Sequence, residues 1–143
     1  GNRTAPFGFA LLYEGEMVAC LSVLRWHKAQ YLELARFAVA KGVLVQGGFS
    51  KLLKHVKQHA EETNMLAIKS FCHLAHGTGN VYEKSGFAHT HDTALDYWYT
   101  DGTNSFSRHK YKTRPNITEK QLAIRDGVHK VYGCGSSHWE LLI

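Results

Sequence analysis

Cysteine is scarce in this sequence, and the three present, Cys20, Cys72 and Cys134, are widely spaced and odd in number. They form no Cys-x-x-Cys pair and lack metal-ligand spacing, which suits a reduced, cytoplasmic protein. No apolar run approaches the roughly 18 residues that a membrane span needs. The N-terminus also lacks the charged-then-apolar layout of a signal peptide. No internal repeat and no low-complexity tract occurs. Acidic residues are in deficit, 12 against 17 Lys and Arg.

The chain has 143 residues, one domain's worth with room for a small appendage. At 44% hydrophobic and 20% charged residues it can bury a core, and nothing reads as disordered. The net charge of +5 is unevenly spread: residues 1–102 carry ten basic and nine acidic side chains, residues 103–143 seven and three. A division at residue 102 into an α/β core and a basic extension packed on it follows. The densest basic run is Arg108-His109-Lys110-Tyr111-Lys112-Thr113-Arg114. Arg108, Lys110, Lys112 and Arg114 suit a nucleic-acid partner. They suit a solvated strand edge, guarded by charge against aggregation, equally well.

Along the chain, 7–12 and 17–24 read as a β-hairpin and 31–39 as a third strand. From Phe49 to Glu62 the period turns helical, with Leu52, Leu53, Val56 and Ala60 on one face. A strand over 65–72, a short helix over 78–85 stopped by Gly86, and strands over 87–93 and 95–100 follow. Asp101-Gly102 marks a turn. Thr118-x-x-Gln121 is a capping-box pattern that opens a helix, and Gly127 closes it. The runs 128–132 and 138–142 predict a final hairpin.

Two segments carry a resemblance. Gln46-Gly47-Gly48-Phe49-Ser50-Lys51-Leu52-Leu53 resembles the glycine-rich loop and helix start of the GNAT acetyltransferase superfamily. Val81-Tyr82-Glu83-Lys84-Ser85-Gly86-Phe87 is similar to that family's second helix and its Tyr-x-x-x-Gly-Phe ending. The order of elements agrees, with 7–12 standing as the family's second strand. The resemblance implies an α/β fold with a central mixed sheet and flanking helices, to which the tail adds a small basic helix and hairpin. A narrower likeness rests on Glu33-x-x-Arg36, Tyr97-Trp98-Tyr99, Ser107-Arg108 and Tyr132-Gly133-Cys134-Gly135. These resemble a phage-encoded module of proteins labelled Hef-like homing endonucleases, related distantly to Mom-type DNA-modification proteins. No HNH or GIY-YIG nuclease motif is present.

The GNAT resemblance implies acyl transfer from acetyl-coenzyme A, or another acyl-coenzyme A, to an amine. It places Val39, Gln46, Gly47, Gly48, Phe49, Ser50 and Lys51 around the donor, and backbone N–H groups of 37–39 at the oxyanion. Physically, helix N-terminal N–H groups favour a pyrophosphate, Gly47 and Gly48 permit close approach, and Lys51 adds a cation. A plain glycine turn before an amphipathic helix reads the same way.

Glu33 alternates with Tyr31, Ala35, Phe37 and Val39, which puts an acid on an apolar strand face. It reads as a general base with a raised pKa or as a structural ion-pair member, with Arg36 as one partner. Tyr82 matches the family tyrosine that protonates the leaving thiolate, or packs as a half-buried aromatic. Among ten histidines, His55 and His59 are helical neighbours and His89 and His91 share a strand face, but no metal pattern such as His-Glu-x-x-His occurs. Tyr97, Trp98, Tyr99, Phe106 and Tyr111 stack unpaired bases or pack the end of a sheet. The alternative to an enzyme is therefore a nucleic-acid-binding module on the same scaffold.

Overall fold

The computed structural model describes residues 6–143. The first apolar runs form the expected hairpin of β1 (Phe7–Tyr13) and β2 (Glu16–Trp26). Glu14 and Gly15 at its tip both take positive φ, the handedness that matches strand twist in a two-residue turn. β3 (Tyr31–Val39) pairs antiparallel with β2. The helix α1 (Gly48–Glu62) then crosses to β4 (Ala67–His73), which runs parallel to β3. Next come α2 (Asn80–Lys84), β5 (Ala88–Asp92), β6 (Tyr97–Thr100) and β7 (Ser105–Ser107). A 3-10 turn at Arg108–Tyr111, α3 (Glu119–Asp126), β8 (His129–Tyr132) and β9 (Ser136–Leu142) complete the chain.

Six strands form a mixed sheet in the order β1-β2-β3-β4-β9-β5, and a smaller antiparallel sheet runs β7-β6-β8. The helical period of α1 buries Phe49, Leu52, Leu53, Val56 and Ala60 against Leu21, Val23, Leu32, Leu34 and Ile68 of the sheet. Each such fully buried aliphatic contributes about 1.5–3 kcal/mol by leaving water. The small sheet has its own core of Tyr99, Tyr111, Leu122, Ala123 and Val128. α3 opens with the expected capping box: Thr118 Oγ1 accepts from the Gln121 N–H at 3.2 Å, and Gln121 Oε1 accepts from the Thr118 N–H at 2.9 Å. Gly127 ends it in the left-handed conformation.

Two sequence expectations fail here. The final hairpin does not form: β8 pairs with β6 in the small sheet, whereas β9 enters the large sheet between β4 and β5. Trp139 explains the choice, because its ring is buried in the main core and a hairpin with β8 would leave it in solvent. Residues 103–143 are thus shared between the two sheets. The basic run is not a strand edge either, since Arg108–Tyr111 form a 3-10 turn that buries Tyr111 in the second core.

α2 is only one turn long and is held by what surrounds it. Gly79 precedes it at φ 82, and a Cβ there would stand 2.5 Å from Trp139 Cζ2. The left-handed strain and the overpacking act together, so Gly79→Ala should destabilise the protein by about 2–4 kcal/mol. The midpoint of urea unfolding measures it; a shift within error of wild type would show that Trp139 moves aside at no cost.

Candidate functional site

Where β3 and β4 stop pairing, the sheet opens. The two strands are in register from Tyr31 opposite Ala67 to Leu34 opposite Ser70. Beyond that, β3 stays bonded to β2 as far as Val39 opposite Ala19, and β4 stays bonded to β9 as far as His73 opposite Ser136. A notch therefore separates residues 35–39, all exposed, from residues 71–73. It lies at the carboxyl ends of two parallel strands, where crevices of α/β sheets take ligands.

A bulge sets the notch's lining. Ser22 faces Arg36 while Val23 faces Leu34, so Ala35 is an extra residue in β3. The alternation expected from the sequence is reset there, and Glu33 does not share a face with Phe37 and Val39. Phe37 turns to the helical side, where its ring meets Phe49 edge-on at 5.5 Å. Glu33 lies on the opposite face, opposite Lys69 in register and half-buried. Its Oε2 accepts a 2.8 Å hydrogen bond from Trp26 Nε1, which fixes the carboxylate. Lys69 pairs instead with Glu140 at 3.8 Å and lies 4.6 Å over the Tyr31 ring.

The glycine loop reaches the same end of the sheet. Gly47 takes φ 67 just before α1, and no side chain caps the helix or places an acid in its first turn. Nothing lies within 4 Å of where a Gly47 Cβ would be, so the backbone is open to a ligand. Gln46, Ser50 and Lys51 are exposed around it. Phe49 does not face a ligand with its ring: it is 7% exposed and lies between Phe37 and Tyr82. Its aromatic bulk belongs to the core, and only its backbone is on the loop side.

Tyr82 packs on Phe49, Phe87 and Trp139. Its hydroxyl donates to the Phe71 carbonyl at 3.4 Å. Phe71 is the first β4 residue past the last β3–β4 pair, so this phenol sits at the apex of the notch. Glu33 and Tyr82 thus approach the notch from opposite faces of the sheet.

The basic run is partly engaged. Arg108 Nη1 is 3.6 Å from Asp96 Oδ1, with its guanidinium 5.6 Å over Tyr97. Lys110 Nζ lies 4.4 Å over Phe106. Lys112 and Arg114 are exposed. Tyr99 and Tyr111 are buried and offer no face to a base; Trp98, 37% exposed, does. Burial first, then the Glu119 carboxylate that accepts its hydroxyl, raises the Tyr99 phenol well above its ordinary value.

The histidines also separate. His55 and His59 pack on Phe9 and Phe7. A register shift between His89 and His91 puts the first against Trp139 and the second against His138, on opposite faces. Among the described residues no group of three or more His, Cys, Asp or Glu gathers to hold a metal, and no helix is long and apolar enough to cross a membrane.

Burial, joined by His91 stacked 4.2 Å away and by Lys69, depresses the His138 imidazole below its ordinary value of 6.5, and Asp92 only partly opposes this. As pH falls through that value the unfolded side chain binds its proton and the folded one resists, so stability declines on the acid side. The loss in urea midpoint between about pH 7.5 and about pH 5.5 should be smaller in His138→Phe than in wild type. Equal losses would place the pH dependence elsewhere.

The fold matches solved acetyltransferases along nearly all of this chain. A Bacillus anthracis protein assigned as a streptothricin acetyltransferase, solved with acetyl coenzyme A, aligns over 96% of this chain and 62% of its own, at 18% identity and TM-score 0.56. The chain thus spans less than two thirds of that relative's length. The ribosomal-protein-S18-alanine N-acetyltransferase of Escherichia coli aligns over 96% of this chain and 69% of its own, at 16% identity and TM-score 0.57. N-acetylglutamate synthase of Neisseria gonorrhoeae, complexed with coenzyme A and N-acetyl-glutamate, aligns over 93% of this chain and 24% of its own, at 16% identity and TM-score 0.56. At such identities the likeness carries the fold. No curated protein sequence matches. The narrower likeness to a phage module finds no counterpart among these relatives. The acetyltransferase (GNAT) family model, however, matches residues 2–87, from the first hairpin through the Tyr82–Phe87 segment, and the chain belongs to that family.

Proposed function

We propose that this chain binds an acyl-coenzyme A along the β3–β4 notch and transfers its acyl group to an amine. The observation that carries the reading is the coincidence, at one end of the sheet, of the notch and an uncapped helix start at Gly47. Gly47, with open space beside it, lets the backbone at the helix start approach a pyrophosphate, while the Gly48 N–H is held by the Val45 carbonyl at 3.2 Å, and Lys51 on the first turn adds a positive charge. When bound, the donor supplies an activated thioester carbonyl. The N–H groups of 37–39 on the β4 side of β3 have no strand partner there and can hold a developing oxyanion. Glu33, with Oε2 fixed by Trp26, takes a proton from the amine nitrogen on its face. Tyr82 gives its phenolic proton to the leaving sulfur on the other, and solvent restores both groups. The relatives solved with acetyl coenzyme A or coenzyme A support the choice of donor.

A second reading, a nucleic-acid partner, has the surplus of four positive charges after residue 102 and the exposed Lys112 and Arg114 in its favour.

Acetyl-coenzyme A should raise the melting temperature, because the folded state alone binds it. No thermal shift and no heat of titration at millimolar ligand would remove the acyl-transfer reading. Glu33→Gln and Tyr82→Phe should each slow transfer by about 10²–10⁴-fold with little loss of stability. The glutamine still accepts from Trp26, and the phenylalanine keeps the ring contacts. Unchanged turnover per folded molecule would assign both side chains to packing.

For the second reading, changing Arg108, Lys110, Lys112 and Arg114 together to Gln should flatten the log–log salt dependence of duplex binding by about three to four units. An unaltered slope would show that the run touches no phosphates.

A further inference from the structure

The segment 93–135 leaves the large sheet after β5 and returns in β9, and it lines two cavities. One, of about 460 Å³, is lined by His73, Asp96, Trp98, Arg108 and Gly133 among others. The other, of about 480 Å³, shares the same arginine and is lined also by Tyr97, His109, Lys112 and Glu119. His73 is three residues beyond the last β3–β4 pair, so the first cavity begins about 10 Å along β4 from the point where the notch opens.

Its walls are of two kinds. Leu95 and Trp98, 62% and 37% exposed, present apolar surface without a covering partner. Gly133 keeps the space in front of the indole clear: a Cβ there would stand 3.3 Å from Trp98 Cζ3. The charged wall is the Asp96–Arg108 pair, 3.6 Å apart and exposed on both sides. Arg108, His109 and Lys112 surround this end, while the acid across from them, Glu119, is already shared between the Tyr99 hydroxyl and Lys130 Nζ at 3.5 Å. Within the first cavity Asp96 and Arg108 balance each other, and Lys112 beyond the arginine adds a second cation; an exposed guanidinium exchanges a 3.6 Å carboxylate contact readily for a bidentate anion.

We infer that the cavity between Trp98 and Arg108 is the acceptor pocket, and that the acceptor is a flat amine carrying an anionic group, phosphate or carboxylate. Its body lies on Trp98, its anion on Arg108, and its amine points along β4 toward the notch. This assignment rests on the acyl-transfer reading above.

Calorimetric titration of the full chain, with and without acetyl-coenzyme A, tests it with four probes: adenosine monophosphate, 4-aminobenzoate, and their uncharged counterparts adenosine and aniline. At least one anionic probe should bind tenfold or more tighter than its uncharged counterpart, and which one does so separates phosphate from carboxylate. Arg108→Gln should abolish that preference, and Gly133→Val should weaken all four probes tenfold or more, while acetyl-coenzyme A still raises the melting temperature of both variants. Arg108 is exposed, so its variant carries the test if Gly133→Val does not fold. Equal binding of charged and uncharged probes, no binding of either anion, or a preference that survives Arg108→Gln overturns the inference. Anion binding to a chain that gives no response to acetyl-coenzyme A overturns the acceptor role and the acyl-transfer reading together. A response to acetyl-coenzyme A with no anion preference overturns the pocket alone.

Discussion

The parallel ladder between β3 and β4 ends after Leu34 and Ser70, and the proposed chemistry depends on that ending. Two competing hydrogen-bond partners hold the strands apart. β3 continues on β2 with an extra residue at Ala35, and β4 continues on β9 through His73. Because each strand keeps one neighbour, most of its backbone groups stay paired, and the unpaired ones face the opening rather than a dry core. The bulge also turns Phe37 to the helical side of the sheet, where it meets Phe49, which in turn packs on Tyr82. The diverging partners open the cleft, and the inserted residue sets which side chains line it.

β9 links the two halves of the molecule. It is last in sequence but interior in the sheet, between β4 and the edge strand β5, and its Trp139 closes the main core beneath α2. Everything between β5 and β9 is consequently tethered at both ends to neighbouring strands, which keeps the small sheet beside the notch. Between that sheet and α3, Tyr99, Glu119 and Lys130 form a buried-to-surface chain of polar contacts. The hydrogen bond from Tyr99 is the main cause that holds the Glu119 carboxylate below its ordinary range. A side chain so committed leaves Arg108, already 3.6 Å from Asp96, and Lys112 as the cations at the mouth.

Much of this was legible from residue order. The periodicity of 49–62 gave α1, the Glu14-Gly15 turn gave the first hairpin, and Thr118 with Gln121 gave a cap that the structure reproduces atom by atom. These are local devices, fixed by hydrogen bonds and side-chain spacing within a few residues. The glycine loop at 46–48 was legible for the same reason. The expectation that Glu33 shares a face with Phe37 and Val39 failed, because a bulge adds a residue without leaving a mark in the apolar pattern. His89 and His91 were misjudged by the same kind of slip.

What the sequence determined alone is the first hairpin, α1, the cap and end of α3 and the charge excess of the tail, since each depends on neighbours along the chain; β7 and the turn at 108–111 left no such mark. Tertiary structure decided where β9 goes, which face Glu33 occupies, that Tyr99 and Tyr111 are core, and that Trp98 and Arg108 share a cavity with His73. Those outcomes come from competition between distant segments for burial and strand edges. The preference of β9 for β4 over β8 rests on burying Trp139 some seventy residues from its strand partner Ser70, and no local pattern encodes that contact.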